Sequence, residues 1–157
     1  VGLWMLPVRF ITSKGFRAVA FFRMANWLYR HGVPLLPQVL TVINEEVHSA
    51  AIHYKAEIGP GLTLPHPFGV VVGPGAKIGR NVQLFQGVGI GPVKGAFPTL
   101  GDDVAVFPHA QVLGGVRIGD RARIGANCTV LVDVEADYSV APPRIAVFKN
   151  TVEADGG

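Results

Sequence analysis

The chain has 157 residues, room for one compact domain, and its 49% apolar content excludes a disordered chain despite 20 glycines and 12 prolines. A single cysteine excludes an internal disulfide framework and fits a reducing compartment. The net charge of +3 sits in the first fifty residues, where Arg9, Lys14, Arg17, Arg23 and Arg30 oppose Glu45 and Glu46, a basic density too low for nucleic-acid binding.

The opening VGLWMLPVRF lacks a basic n-region and a small-residue cleavage site, so no signal peptide is expected and the chain reads as cytoplasmic. Ser13 is placed to cap a helix running from about Lys14 to Gly32, with Phe16, Val19, Ala20, Arg23, Trp27 and Arg30 tracing one face. A basic, aromatic helix of this kind can lie on an anionic membrane surface. The more ordinary arrangement packs the aromatics on protein and leaves the charges in water. The apolar run from Val33 to Ile43 is broken by Pro34 and Pro37 and is too short to span a bilayer. A second helix is expected from about Gln38 to Ser49, with Val39, Leu40, Ile43 and Val47 as its apolar stripe.

From Ile52 a six-residue beat takes over. Its leading positions are Ile52, Ile58, Leu64, Val72, Ile78, Leu84, Ile90, Leu100, Val106, Val112, Ile118, Ile124 and Val130. Neither a helical period nor simple alternation produces that spacing. Three hexads close one triangular coil of a parallel β-helix, so about five coils are expected, ~20–25 Å of stack at the usual strand spacing. Glycine often follows the leader, as at Gly59, Gly79, Gly101 and Gly119, where a corner needs a residue without Cβ or one tolerant of unusual φ. Four residues past each leader come small or medium groups suited to a narrow interior, among them Ala56, Phe68, Val82, Cys128 and Val134. Cys128 is therefore core and not a nucleophile.

Two interruptions break the beat: an offset at residues 65–71, which contains His66, and an insertion near residues 92–98. Insertions in a solenoid leave the coil at one corner and commonly build its binding site. Past Val130 the pattern decays toward Pro142 and Pro143 and a polar tail.

The segments GFRAVAFFRMANWLYRHG, IGPGLTLPHPFGVVVG, QGVGIG, IGDRARIGANCTVL and PPRIAV together resemble the serine acetyltransferase branch of hexapeptide-repeat acyltransferases. The likeness covers about residues 15–147. It implies a left-handed parallel β-helix behind an N-terminal helical segment, divided as 1–50 helical, 51–141 β-helix and 142–157 tail. It also implies a homotrimer, acetyl-CoA as co-substrate and a small hydroxyl-bearing acceptor, with no metal. His66 matches the family's catalytic histidine, and an imidazole is suited to take a hydroxyl proton near neutral pH. The family's acyl-CoA groove matches Gly91, Pro92, Pro108 and Ala126, with Arg123 and Arg144 near the phosphates. The acceptor loop's basic residue and second histidine match Ala96 and Phe97.

The chain departs from that pattern at the acceptor. The aspartate expected before the first hexad is Ala51, and the acidic residue expected before the histidine is Pro65. Fewer charges remain to recognise serine, which keeps a sugar hydroxyl open as the acceptor, and a degenerate non-catalytic member as a third reading. Glu45, Glu46 or His53 are the remaining groups to orient His66. A zinc site between His48, His53, His66 and His109 would require a shared repeat phase, which they lack.

Overall fold

A computed structural model describes Phe10 and residues 12–142. Helix α1 (Lys14–Arg30) begins where Ser13 accepts a hydrogen bond from the Phe16 N–H at 3.2 Å. Helix α2 (Leu36–His48) follows the Pro34 break, with Pro37 in its first turn, where no N–H is needed. No helix among the described residues is long and apolar enough to cross a membrane.

Thirteen short strands, numbered in chain order, form three all-parallel sheets that are the faces of a prism. Face one holds β1 (Ala50–Ile52), β3 (Val70–Val72), β6 (Gly89–Gly91), β9 (Gln111–Leu113) and β12 (Thr129–Val130). Face two holds β2 (Glu57–Ile58), β4 (Lys77–Ile78), β7 (Thr99–Leu100) and β10 (Arg117–Ile118). Face three holds β5 (Gln83–Leu84), β8 (Ala105–Val106), β11 (Arg123–Ile124) and β13 (Ser139–Val140). Bridges from Thr63 to Gln83 and from Ile118 to Val134 extend faces three and two, giving five coils in all.

The thirteen leaders are all buried, stacked in three columns with their partners two residues earlier. Each coil therefore closes a slice of aliphatic core on every face. The strand register shows how the interruptions are absorbed. Val72 pairs with Ile52, twenty residues earlier, and Leu100 with Ile78, twenty-two earlier, whereas Val112 and Val130 keep the regular eighteen.

Two interior assignments differ from the sequence reading. Phe68 is 49% exposed, because the offset around His66 moves Val70 into the inward slot. The beat also continues past Val130: Val134 takes a leader's place against Ile118, and Val140 pairs with Ile124. The last coil is shortened to sixteen residues, so simple counting in sixes loses it. Cys128 is inward as expected, its Sγ 3.9 Å from the Val140 carbonyl.

The glycines after the leaders answer to close approach and not to unusual φ. A Cβ on Gly79 would lie 2.5 Å from the Gly101 carbonyl oxygen of the next coil.

The helices pack on one another and cover the first coil. The buried side of α1 is Gly15, Ala18, Phe22 and Ala25, and Trp27 is 55% exposed, so the face expected from the larger residues is displaced. Small residues win because the contact is so close that a Cβ on Gly15 would sit 1.8 Å from the Leu64 carbonyl oxygen. Helix α2 likewise buries Pro37, Asn44 and His48 and leaves Val39, Ile43 and Val47 exposed.

Two polar side chains of α1 finish the open end of the stack. Arg23 donates to the carbonyls of Ile58 and Gly59, and Asn26 Nδ2 donates to those of Tyr54 at 2.8 Å and Ala56 at 3.2 Å. Within the stack such carbonyls accept from the preceding coil: Ile78 from the Gly59 N–H, Ala76 from Glu57. Burial, with Arg30 nearby as a second cause, lowers the Arg23 pKa.

Candidate active site

His66 lies on the edge between faces three and one, in the connection from Leu64 to Val70. Pro65 and Pro67 flank it and restrict the backbone on both sides. The connection is tied down from both ends. The Gly69 N–H donates to the Ser49 carbonyl at the end of α2 at 2.8 Å. Lys14 Nζ lies 5.1 Å from the centre of the Phe68 ring, and Gly15 abuts Leu64. A stiff, double-proline loop held by two helices thus presents an exposed imidazole.

None of the expected orienting groups reaches it. Among the described residues His66 makes no hydrogen bond or ion pair, and neither Glu45, Glu46 nor His53 is bonded to it. His53 stands on the edge between faces one and two, stacked on Tyr54 at 4.4 Å, with its Nδ1 accepting from the Lys55 N–H. Burial, then Lys55, lowers its pKa. His48 is buried beneath α1, its Nδ1 2.9 Å from Asn44 Oδ1, while Asn44 Nδ2 donates to the Ala18 carbonyl. Among the described residues no three metal-ligating side chains converge.

The other candidate residues divide between two edges. Pro108 and Ala126 share the His66 edge, two and three coils further along, about 10–15 Å by the strand spacing. Arg123 is exposed on β11 beside Ala126. Gly91, Pro92, Ala96 and Phe97 lie on the opposite edge of face one. Arg144 lies outside the described residues.

The insertion on that opposite edge is a tight hairpin. Val93 and Ala96 exchange two backbone hydrogen bonds, of 3.0 and 3.1 Å, around Lys94 and Gly95, both at positive φ. Phe97 then lies across the neighbouring coil: a Cβ on Gly75 would be 2.5–2.9 Å from its ring, and one on Gly73 2.8 Å. Its ring is occupied in fixing the loop, a role not visible from its alignment with a histidine. Ala96 is exposed and rests near Gly115.

Between the two edges, the outward positions of face one are Ala51, Val71, Gly89, Gln111 and Thr129, without a charge. Faces two and three carry Glu57, Lys77, Arg117 and Arg123 at the same positions. A groove of about 320 Å³ runs over face one, lined by Gly69, Val71, Gly89, Gly91, Gln111 and Leu113 among others. The prism thus offers an uncharged face with an imidazole at one rim and a rigid hairpin at the other.

Residues 97–131 match the family model described as bacterial transferase hexapeptide (six repeats). The serine acetyltransferase of Helicobacter pylori strain J99 is 38% identical over 124 residues, which cover 76% of this chain and 72% of that protein. The chain belongs to the serine acetyltransferase family. Two solved members have the same architecture. The Neisseria gonorrhoeae serine acetyltransferase in complex with serine matches with a TM-score of 0.83 at 34% identity, over 87% of this chain and 58% of that one. The Brucella abortus serine acetyltransferase in complex with coenzyme A matches with a TM-score of 0.80 at 30% identity, over 85% and 55%. The chain thus spans little more than half of those two family members, and 60 to 66% of the length of further curated relatives.

Proposed function

We propose that this protein is an acetyl-CoA-dependent O-acetyltransferase in which His66 is the general base. The observation that carries the reading is the placement of His66. In a chain of this family, it is an exposed imidazole on a loop stiffened by two prolines, and Gly69 of the same loop lines an uncharged groove. His66 takes the proton of the acceptor hydroxyl as the oxygen attacks the thioester carbonyl, giving a tetrahedral oxyanion that a backbone N–H stabilises. Collapse breaks the carbon–sulfur bond, and the imidazolium returns its proton to the departing thiolate.

The split of the candidate residues over two edges supports a site completed between chains. Gly91 and Pro92 of one copy would face Pro108 and Ala126 of the next across a homotrimer, with Arg123 and Arg144 toward the coenzyme's phosphates. The proposed acceptor is small and uncharged at its recognised end. Ala51, Pro65 and Ala96 offer no charge for an amino acid, and Phe97 is packed on Gly73 and Gly75, which favours a sugar hydroxyl over serine.

The test is thiol release from acetyl-CoA with serine and with a panel of sugars, for wild type and His66→Ala. Loss of roughly 10²–10⁴-fold in the variant, with acetyl-CoA still bound, is expected. Turnover that survives the substitution would exclude His66 as the base. Wild type that binds no acetyl-CoA would make the chain a non-catalytic family member.

A further inference from the structure

At the edges that bound face three, the backbone turns through the left-handed region once per coil. On the His66 edge the residues there are Gly69, Gly87, His109 and Asn127; on the edge toward face two they are Gly61, Asn81, Asp103, Arg121 and Asp137. Glycine, asparagine and aspartate take this conformation most readily. Arg121 and His109 stand out among these nine positions. Arg121 is held there by a two-bond ion pair with Asp137, at 2.7 and 2.8 Å. The His109 ring, with φ at +61°, makes no hydrogen bond or ion pair with any described residue.

The fold nevertheless keeps a place for that ring. A Cβ on Gly87 would lie 2.2 Å from His109 Nδ1, so only glycine lets the imidazole lie over the backbone of the coil before it. Gly89 does the same for Gln111, whose Nε2 donates to the Gly87 carbonyl at 3.0 Å. The His109 N–H donates to the Gln86 carbonyl, and Gln86 Oε1 is the one buried side-chain oxygen among the described residues without a hydrogen-bond partner. Two polar side chains are thus left unpaired at one point of the His66 edge, beside Gly87, which itself lines the uncharged groove.

We infer that the His109 imidazole, laid over Gly87 at the groove, holds the acyl donor by hydrogen-bonding an amide of its arm. A neutral imidazole offers one donor and one acceptor, and the groove has no charge to attract an ionic group, so a neutral carbonyl or N–H is the fitting partner. The inference rests on the acetyl-CoA reading above and adds to it a residue that determines affinity for the donor.

Glycine and asparagine both suit a φ of +61°, so His109→Gly and His109→Asn remove the ring while easing the backbone. The measurements are coenzyme A affinity by calorimetry, KM for acetyl-CoA, kcat and Tm. Expected are a rise of about tenfold in the coenzyme A Kd and the acetyl-CoA KM, a much smaller change in kcat, and a Tm that holds or rises. Unchanged Kd and KM in both variants would overturn the inference. So would weaker binding that comes with a lower Tm or a dissociated assembly, because the ring would then be structural. Wild type that fails to bind coenzyme A would instead bring down the acetyl-CoA reading itself.

Discussion

The guanidinium of Arg23 donates to the carbonyl of Ile58, the place that the Gly59 N–H takes on Ile78 one coil later. Asn26 does the same for Ala56, where the Glu57 N–H serves Ala76. Helix α1 therefore stands in for a preceding coil and closes an edge that parallel strands would otherwise leave open. Arg23→Ala is expected to cost about 2–3 kcal/mol, since bonds from a charged donor are lost and carbonyls are stranded. Arg23→Lys should recover part of that, because an ammonium lacks the fork that reaches two carbonyls. Urea midpoints decide the matter, and an unshifted midpoint for Arg23→Ala would remove the capping role.

The interior follows volume. Leu84 is fully buried inside its column, between Leu64 and Val106, and Leu84→Ala is expected to destabilise by about 2–5 kcal/mol. Val71, on the outer side of face one and 51% exposed, should tolerate Val71→Ala within about 0.5 kcal/mol. Equal effects at the two positions would contradict the inward and outward assignment.

His48 makes stability depend on pH. Burial first, then Arg17 and Lys14, lower its pKa below that of an unfolded histidine, near 6.5. The unfolded chain thus binds the proton more readily. The contribution is complete above about pH 6.5 and falls away as pH drops toward the folded value. Thermal unfolding followed across that range should show a decline that His48→Gln flattens. A wild-type midpoint level through the same range would argue against a neutral buried ring.

Phe97 and Gly75 offer a further test. Any side chain on Gly75 must displace the Phe97 ring, and Gly75→Ala should loosen the hairpin at residues 92–98. Trypsin then reaches the exposed Lys94 faster in Gly75→Ala and in Phe97→Ala than in wild type. Equal cleavage rates in all three proteins would mean that the ring does not hold the loop.

The prism is legible in the sequence because its core positions recur by count, and each leader from Ile52 to Val130 is where the beat places it. Counting fails where a coil changes length, so Phe68 is misplaced, Val134 is read as four past a leader when it takes a leader's place, and Val140 is lost. The helices are less legible. Their contacts run through Gly15, Ala18 and Ala25, small residues that carry little hydrophobic signal, and through Asn44 and His48, which are buried as a bonded pair. Arg23 and Asn26 left a trace, two polar residues three apart, but their partners are backbone carbonyls that no periodicity marks. At the site, the histidine's loop could be found from the broken beat. The packing of Phe97 and the left-handed backbone of His109 depend on glycines in other coils, Gly75 and Gly87, and appear only in three dimensions.

The coils of twenty, twenty-two, eighteen and sixteen residues separate architecture from accessory length. A length change is confined to the corner where it occurs, and the next strand re-enters its column in phase. Corners can therefore diverge independently: residues grafted at the hairpin around Lys94 should leave the His66 corner's geometry intact. Each rim of the prism is an evolutionary variable in its own right, able to change its length and residues while the other is inherited unchanged.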